Sequence, residues 1–113
     1  MGFFDTLRDA SVQKDLITTA VSINDLILSI VKAVEPYENL PYLPTAVKLQ
    51  VSNYVNSIDR KVKDMESRMQ DMKSTNIMFV KVPCADGSSI AVPGYVIATQ
   101  QMVLAMRQEY GLL

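Results

Sequence analysis

Hydrophobic positions in the first third of the chain recur every three or four residues. Leu16, Ala20, Ile23, Ile27, Ile30 and Val34 alternate at spacings of four and three, with Ile17, Val21, Leu28 and Val31 beside them. This period predicts a helix over residues 11–35. The stripe is wide, so the helix is expected to face two neighbours rather than one. Ser11 or Asp9 can cap its start by accepting a hydrogen bond from a free backbone N–H. Residues 3–9 either continue the helix or form a separate turn through Phe3, Phe4 and Leu7.

The pattern breaks at "EPYENLPYLP" (35–44), where three prolines fall within ten residues. Proline lacks the N–H and disfavours helix in the residue before it, so the first helix should end near Glu35. "PYLP" matches P-x-x-P, but no basic residue flanks it within the linker, and it reads as an interhelical connection. Pro44 suits the start of a second helix, predicted over 45–73. There Val47, Val51, Val55, Ile58, Val62, Met65, Met69 and Met72 recur close to a heptad seam. Beyond Ile58 the outer face is densely charged, with Asp59–Lys63 and Asp64–Arg68 spaced as i,i+4 pairs, acid first. A helix of this length spans roughly 45 Å, so another segment must cover its far end.

From Ile77 the period changes to two. "IMFVKV" and "SSIAV" flank a glycine-containing turn and predict a β-hairpin over 77–92. A two-residue Asp86-Gly87 turn would set Lys81 beside Val92. A three-residue Ala85-Asp86-Gly87 loop instead pairs 82 with 90 and 80 with 92, gathering Val80, Val82, Ile90 and Val92 on one face. A one-residue slip would scatter those side chains, so the apolar pattern selects the three-residue loop, with Gly87 left-handed. Pro93 and Gly94 then open a last helix over 95–110, with Gly111 as its left-handed stop and Leu112 as an apolar contact beyond it. The fold expected is mainly α: a coiled-coil-like antiparallel helical hairpin followed by a β-hairpin and a C-terminal helix, in one domain spanning 1–113. The order of helix, β-hairpin and helix resembles that of prefoldin-like subunits, but the last helix is short and weakly charged and no residue motif ties the two, so no family is assigned.

Composition narrows the function more than any motif does. Eleven basic and twelve acidic residues give a net charge of −1, so no basic field exists to draw nucleic acid over distance. The most apolar run, "LILSIVKAV" (26–34), is short and holds Lys32, so no membrane span is expected. The N-terminus has no basic n-region, and no secretory signal is expected; an intracellular or virion-associated location fits better. "MGFFDT" meets the loose N-myristoylation pattern, although Phe3 directly after the glycine disfavours modification.

The cysteine-bearing stretch "VKVPCADGSSIAVPGY" (80–95) is the one place where chemistry suggests itself. Cysteine catalysis needs a thiolate, usually made by a neighbouring histidine or another cation. The chain has no histidine, and in a strand Lys81 points away from Cys84. Gly, Asp and Ser there fit a turn for backbone reasons. Zinc sites need Cys or His in numbers this chain lacks, and no glycine-rich phosphate loop appears among four glycines. No enzyme, cofactor, metal or small-molecule substrate is therefore expected.

Seven methionines are the compositional oddity, with Met65, Met69, Met72 and Met78 clustered where helix 2 meets the hairpin. Methionine fills irregular cores and also suits adaptable binding surfaces. An isolated hairpin needs a covering layer, so Met65, Met69, Met72, Met78, Val80, Val82, Ile90 and Val92 form the candidate partner-binding surface. The terminal helix, as cover from within the chain, is the alternative. The expected function is a structural or assembly protein acting by homo-oligomerisation or as an adaptor, a class that includes small phage and viral structural components. The alternative is a regulator or inhibitor that blocks a partner.

Overall fold

The computed structural model describes residues 3–71 and 80–112, with side chains from residue 10 onward. The first helix, α1, is Phe3–Val34. It reaches back well beyond residue 11 because nothing between Phe3 and Val34 breaks it: the stretch contains neither proline nor glycine. It ends where proline requires, passing into a 3-10 turn Glu35–Tyr37 with Pro36 in the first turn. The expected packing of Phe3, Phe4 and Leu7 lies outside the described side chains.

The second helix, α2, is Thr45–Gln70. Pro44 sits just before it with extended backbone, and its carbonyl accepts the Lys48 N–H at 2.9 Å, closing the first turn. Residues 72 and 73, at the end of the predicted helix, lie outside the described residues, as do 77–79 at the start of the predicted hairpin. The hairpin strands are β1, Lys81–Pro83, and β2, Ser89–Ala91, antiparallel with Val82 opposite Ile90. The loop is the three-residue one. Cys84 N–H donates to the Ser88 carbonyl at 2.7 Å, Gly87 N–H donates to the Cys84 carbonyl at 3.0 Å, and Gly87 has φ +91°. That φ is strained backbone for an L-residue and costs glycine little.

Val92 closes the hairpin by donating to the Val80 carbonyl at 2.9 Å, and it is also the first residue of α3, Val92–Glu109. The helix thus starts three residues before position 95, because Pro93 is pre-set for a first helical turn, where its missing donor is no loss. Its end is the predicted one. Leu112 N–H reaches the Arg107 carbonyl at 2.8 Å, Gly111 N–H reaches the Gln108 carbonyl at 3.4 Å, and Gly111 has φ +65°.

α1 and α2 pack antiparallel, and α3 packs on α2, again antiparallel. Polar contacts mark both alignments: Arg68 to Asp15 at 2.9 Å across α1 and α2, and Gln100 to Glu66 at 2.9 Å across α2 and α3. The core runs through α1, α2, β1 and α3, from Leu16, Ala20, Ile23 and Ile30 to Val51, Val55, Ile58, Val62 and Met65, and on to Val82, Val92, Val96 and Val103, with Ile90 of β2 half-buried against it. The molecule is a rod of 57 × 25 × 17 Å. α1 has 32 residues and α2 has 26, and Asp15 of α1 reaches Arg68 near the C-terminal end of α2.

Candidate functional site

The loop around Cys84 is built as a turn. Asp86 accepts from the Ser88 backbone N–H at 2.9 Å and from the Ser88 hydroxyl at 2.6 Å. These bonds hold its carboxyl below the usual range. Cys84 is half-buried, its backbone pinned by the hairpin. Among the described residues, no group of three His, Cys, Asp or Glu side chains comes close enough to hold a metal ion.

The eight residues expected to meet a partner are divided by the fold. Met65, Val82 and Val92 have no exposed surface and Val80 has almost none. Met69 and Ile90 are half-buried against the same core, and Met72 and Met78 lie outside the described residues. The hairpin's apolar face is therefore covered from within the chain, by α1 and by the start of α3; the alternative reading named only the terminal helix.

Among the described residues, one group of exposed apolar side chains lies on α1. Val21, Leu28 and Val31 are 45%, 47% and 51% exposed, and Ile17 beside them is half-buried. The reason lies in how the second neighbour of α1 sits. Tyr95, at the start of α3, places its hydroxyl 2.7 Å from Asn24 Oδ1 and 3.2 Å from the Ala20 carbonyl, while Asn24 Nδ2 donates to the Pro83 carbonyl at 2.8 Å. Hairpin and α3 thus lean on α1 around residues 20–24. From this anchor, Leu28 and Val31 continue the Asn24 flank of α1 at helical spacing. Ala98, Met102 and Ala105 continue the Tyr95 flank of α3, with Ala98 and Ala105 exposed and Met102 half-buried. The two flanks run in the same direction, since both helices oppose α2. No charged residue interrupts α3 between Val92 and Met106.

The wide apolar stripe of α1 signalled this surface. Val21, Leu28 and Val31 carried the expectation of a second neighbour, and the chain supplies that neighbour over only part of the helix. The same stripe makes Ala10–Tyr37 long and apolar enough to cross a membrane by length and composition alone, with a window of mean hydropathy 1.5 of which 22% is buried. The run at 26–34, judged alone, understated that length.

A concavity of about 820 Å³ opens between the 38–44 connection and the C-terminal end of α3. Tyr37, Tyr42 and Tyr110 line it, and burial raises the Tyr110 hydroxyl above its ordinary range. Lys48 faces it together with Glu38 and Glu109, so its charges are mixed and it offers no single-sign field to an ionic ligand.

No protein family, curated protein or solved structure matches the chain.

Proposed function

We propose that this is a non-enzymatic structural or assembly protein, working by homo-oligomerisation or as an adaptor in a larger complex, and that it does so by burying the α1 face against another protein surface. One observation carries the reading: Val21, Leu28 and Val31 stand 45%, 47% and 51% exposed along α1. Apolar surface left in water is unfavourable by roughly 25 cal/mol per Å², and contiguous exposed patches mark interaction sites. The chemistry points the same way. The chain carries no histidine to serve as a general base, and its cysteine sits in a hydrogen-bonded turn.

Light scattering of the wild-type chain and of Leu28→Asp tests it. The wild type is expected as a defined assembly that Leu28→Asp loses, with helix content by circular dichroism unchanged because Leu28 is half-exposed. Equal sizes for the two chains would sink the reading.

A further inference from the structure

We infer that α3 carries a second, self-complementary contact, through which two copies of this chain pair antiparallel as a dimer. The inference goes beyond the assembly reading above: it places a contact on a different helix, and either can fail alone. Gly94, Ile97, Gln101, Leu104 and Gln108 recur along α3 at spacings of three and four, which sets them on one outward seam. Ala98 and Ala105 flank it, and every one of these residues is exposed. Ile97 and Leu104 are 56% and 63% exposed. The seam holds no charge. The charged residues of α3 are Arg107, which turns to Asp59 of α2 at 3.5 Å, and Glu109, which ends the helix. The outward positions of α2, by contrast, include Lys48, Arg60, Lys63 and Asp64, as a face left to water does.

The order of residues along the seam decides the partner. A two-fold contact sets residue i against j and j against i, so it needs a surface that fits itself. With the axis through Gln101, an antiparallel pair places Ile97 opposite Ala105 of the second copy and Leu104 opposite Ala98. Each bulky side chain then meets a methyl group, and the two helices can approach closely. Gly94 falls opposite Gln108. The two Gln101 amides meet on the axis, where each can donate to the other's carbonyl oxygen. A single polar residue in such a seam fixes register. A parallel pair would instead set Gly94 against Gly94, leaving a gap, and bring Glu109 beside Glu109 with the helix dipoles aligned. A helix of another protein would need no such correspondence between the two halves of the seam, so a second copy is the occupant the residues favour. The paired stretch 94–108 is about 21 Å long, short for a standard interface. The dimer is therefore expected to be weak, with a dissociation constant roughly in the micromolar range.

The test uses the full chain carrying Leu28→Asp, which takes the α1 contact out of play. Sedimentation over a range of concentrations should show a monomer–dimer equilibrium. Adding Gln101→Glu should raise the dissociation constant roughly tenfold or more, because two carboxylates then meet on the axis, and Gln101→Lys should do the same. An equimolar mixture of these two chains should dimerise again, since unlike charges now face each other. Position 101 is exposed, so circular dichroism should show unchanged helix content in both. With Cys84→Ser also present, Gln101→Cys alone should give a covalent dimer on mild oxidation, as should Ile97→Cys combined with Ala105→Cys. Ile97→Cys alone should not, because the two copies of position 97 lie about 12 Å apart along the helices. A chain that stays monomeric up to about 1 mM overturns the second copy and leaves the face to a helix of another protein. Charge variants that dissociate but do not pair again when mixed overturn the axis at Gln101. Cross-linking through Ile97→Cys alone overturns the antiparallel direction. If the wild type and Leu28→Asp are dimers of the same size that Gln101→Glu dissociates, the α1 contact falls and this one stands.

Discussion

The Tyr95 hydroxyl lies 2.7 Å from Asn24 Oδ1, a buried contact between residues 71 positions apart that ties the start of α3 to the middle of α1. The Asn24 amide then donates to the Pro83 carbonyl in β1 at 2.8 Å. Pro83 ends its strand, and a strand-end carbonyl buried against a helix needs a donor from outside the ladder. One asparagine thus joins helix, hairpin and terminal helix. Tyr95→Phe keeps the ring and removes the hydroxyl, leaving Asn24 Oδ1 without its donor. The expected loss is about 1–3 kcal/mol of folding stability, read from urea denaturation midpoints. A variant as stable as the wild type would show that the hydroxyl contributes nothing.

Alkaline pH should act through the same residue. Burial pushes the Tyr95 hydroxyl up to about 12, above the ordinary tyrosine value near 10. The folded chain therefore holds this proton more tightly than the unfolded one. The stability is present in full below about pH 10 and falls as pH rises from there through the folded-state value. Denaturation midpoints at about pH 9 and pH 11 should drop for the wild type and drop less for Tyr95→Phe. Equal slopes would assign the alkaline loss to other groups.

Gly111 ends α3 in a left-handed conformation, φ +65°, and a Cβ there would meet Lys48 Nζ at 3.3 Å. Gly111→Ala strains the backbone and crowds the lysine, and about 1 kcal/mol of stability should be lost. Gly111→Asn should cost less, since asparagine tolerates this region. Thermal melts of the two variants rank the effects. If alanine is no worse than asparagine, the backbone argument fails.

Local signals explain what the sequence made readable. Periods of 3.6 and 2, Pro36, Pro93 and the two left-handed glycines each act within a few residues, so element order, hairpin register and the C-terminal stop could all be read from neighbours in the chain. The length of α1 could not be read this way, because residues 3–9 lack a clear apolar period and only the absence of a breaker spoke for helix. The inward face of the hairpin was harder still. Val82 and Val92 are apolar in any reading, and whether they meet a second chain or their own helices depends on the long-range Tyr95–Asn24–Pro83 contact, which no spacing encodes. The wide stripe on α1 announced two neighbours, but not that the second would cover only part of it.

Two aspartate substitutions should separate core from surface. Val82 has no exposed area, sits opposite Ile90 and is enclosed by core residues from the helices. Val82→Asp places a carboxylate inside that apolar enclosure. The loss of apolar burial and the desolvation of the charge together should cost about 4 kcal/mol or more, a large part of the stability of a domain this size. Val82→Asp is therefore expected to unfold the chain, with helix signal lost in circular dichroism. Val21 is 45% exposed on the α1 flank, so Val21→Asp leaves its carboxylate in water and the helix intact. Its effect should appear only in light scattering, as a smaller particle of unchanged helix content. A folded Val82→Asp that dissociates would return the interface to the hairpin. An unfolded Val21→Asp would make α1 an internal helix on all sides and remove the exposed face on which the assembly reading stands.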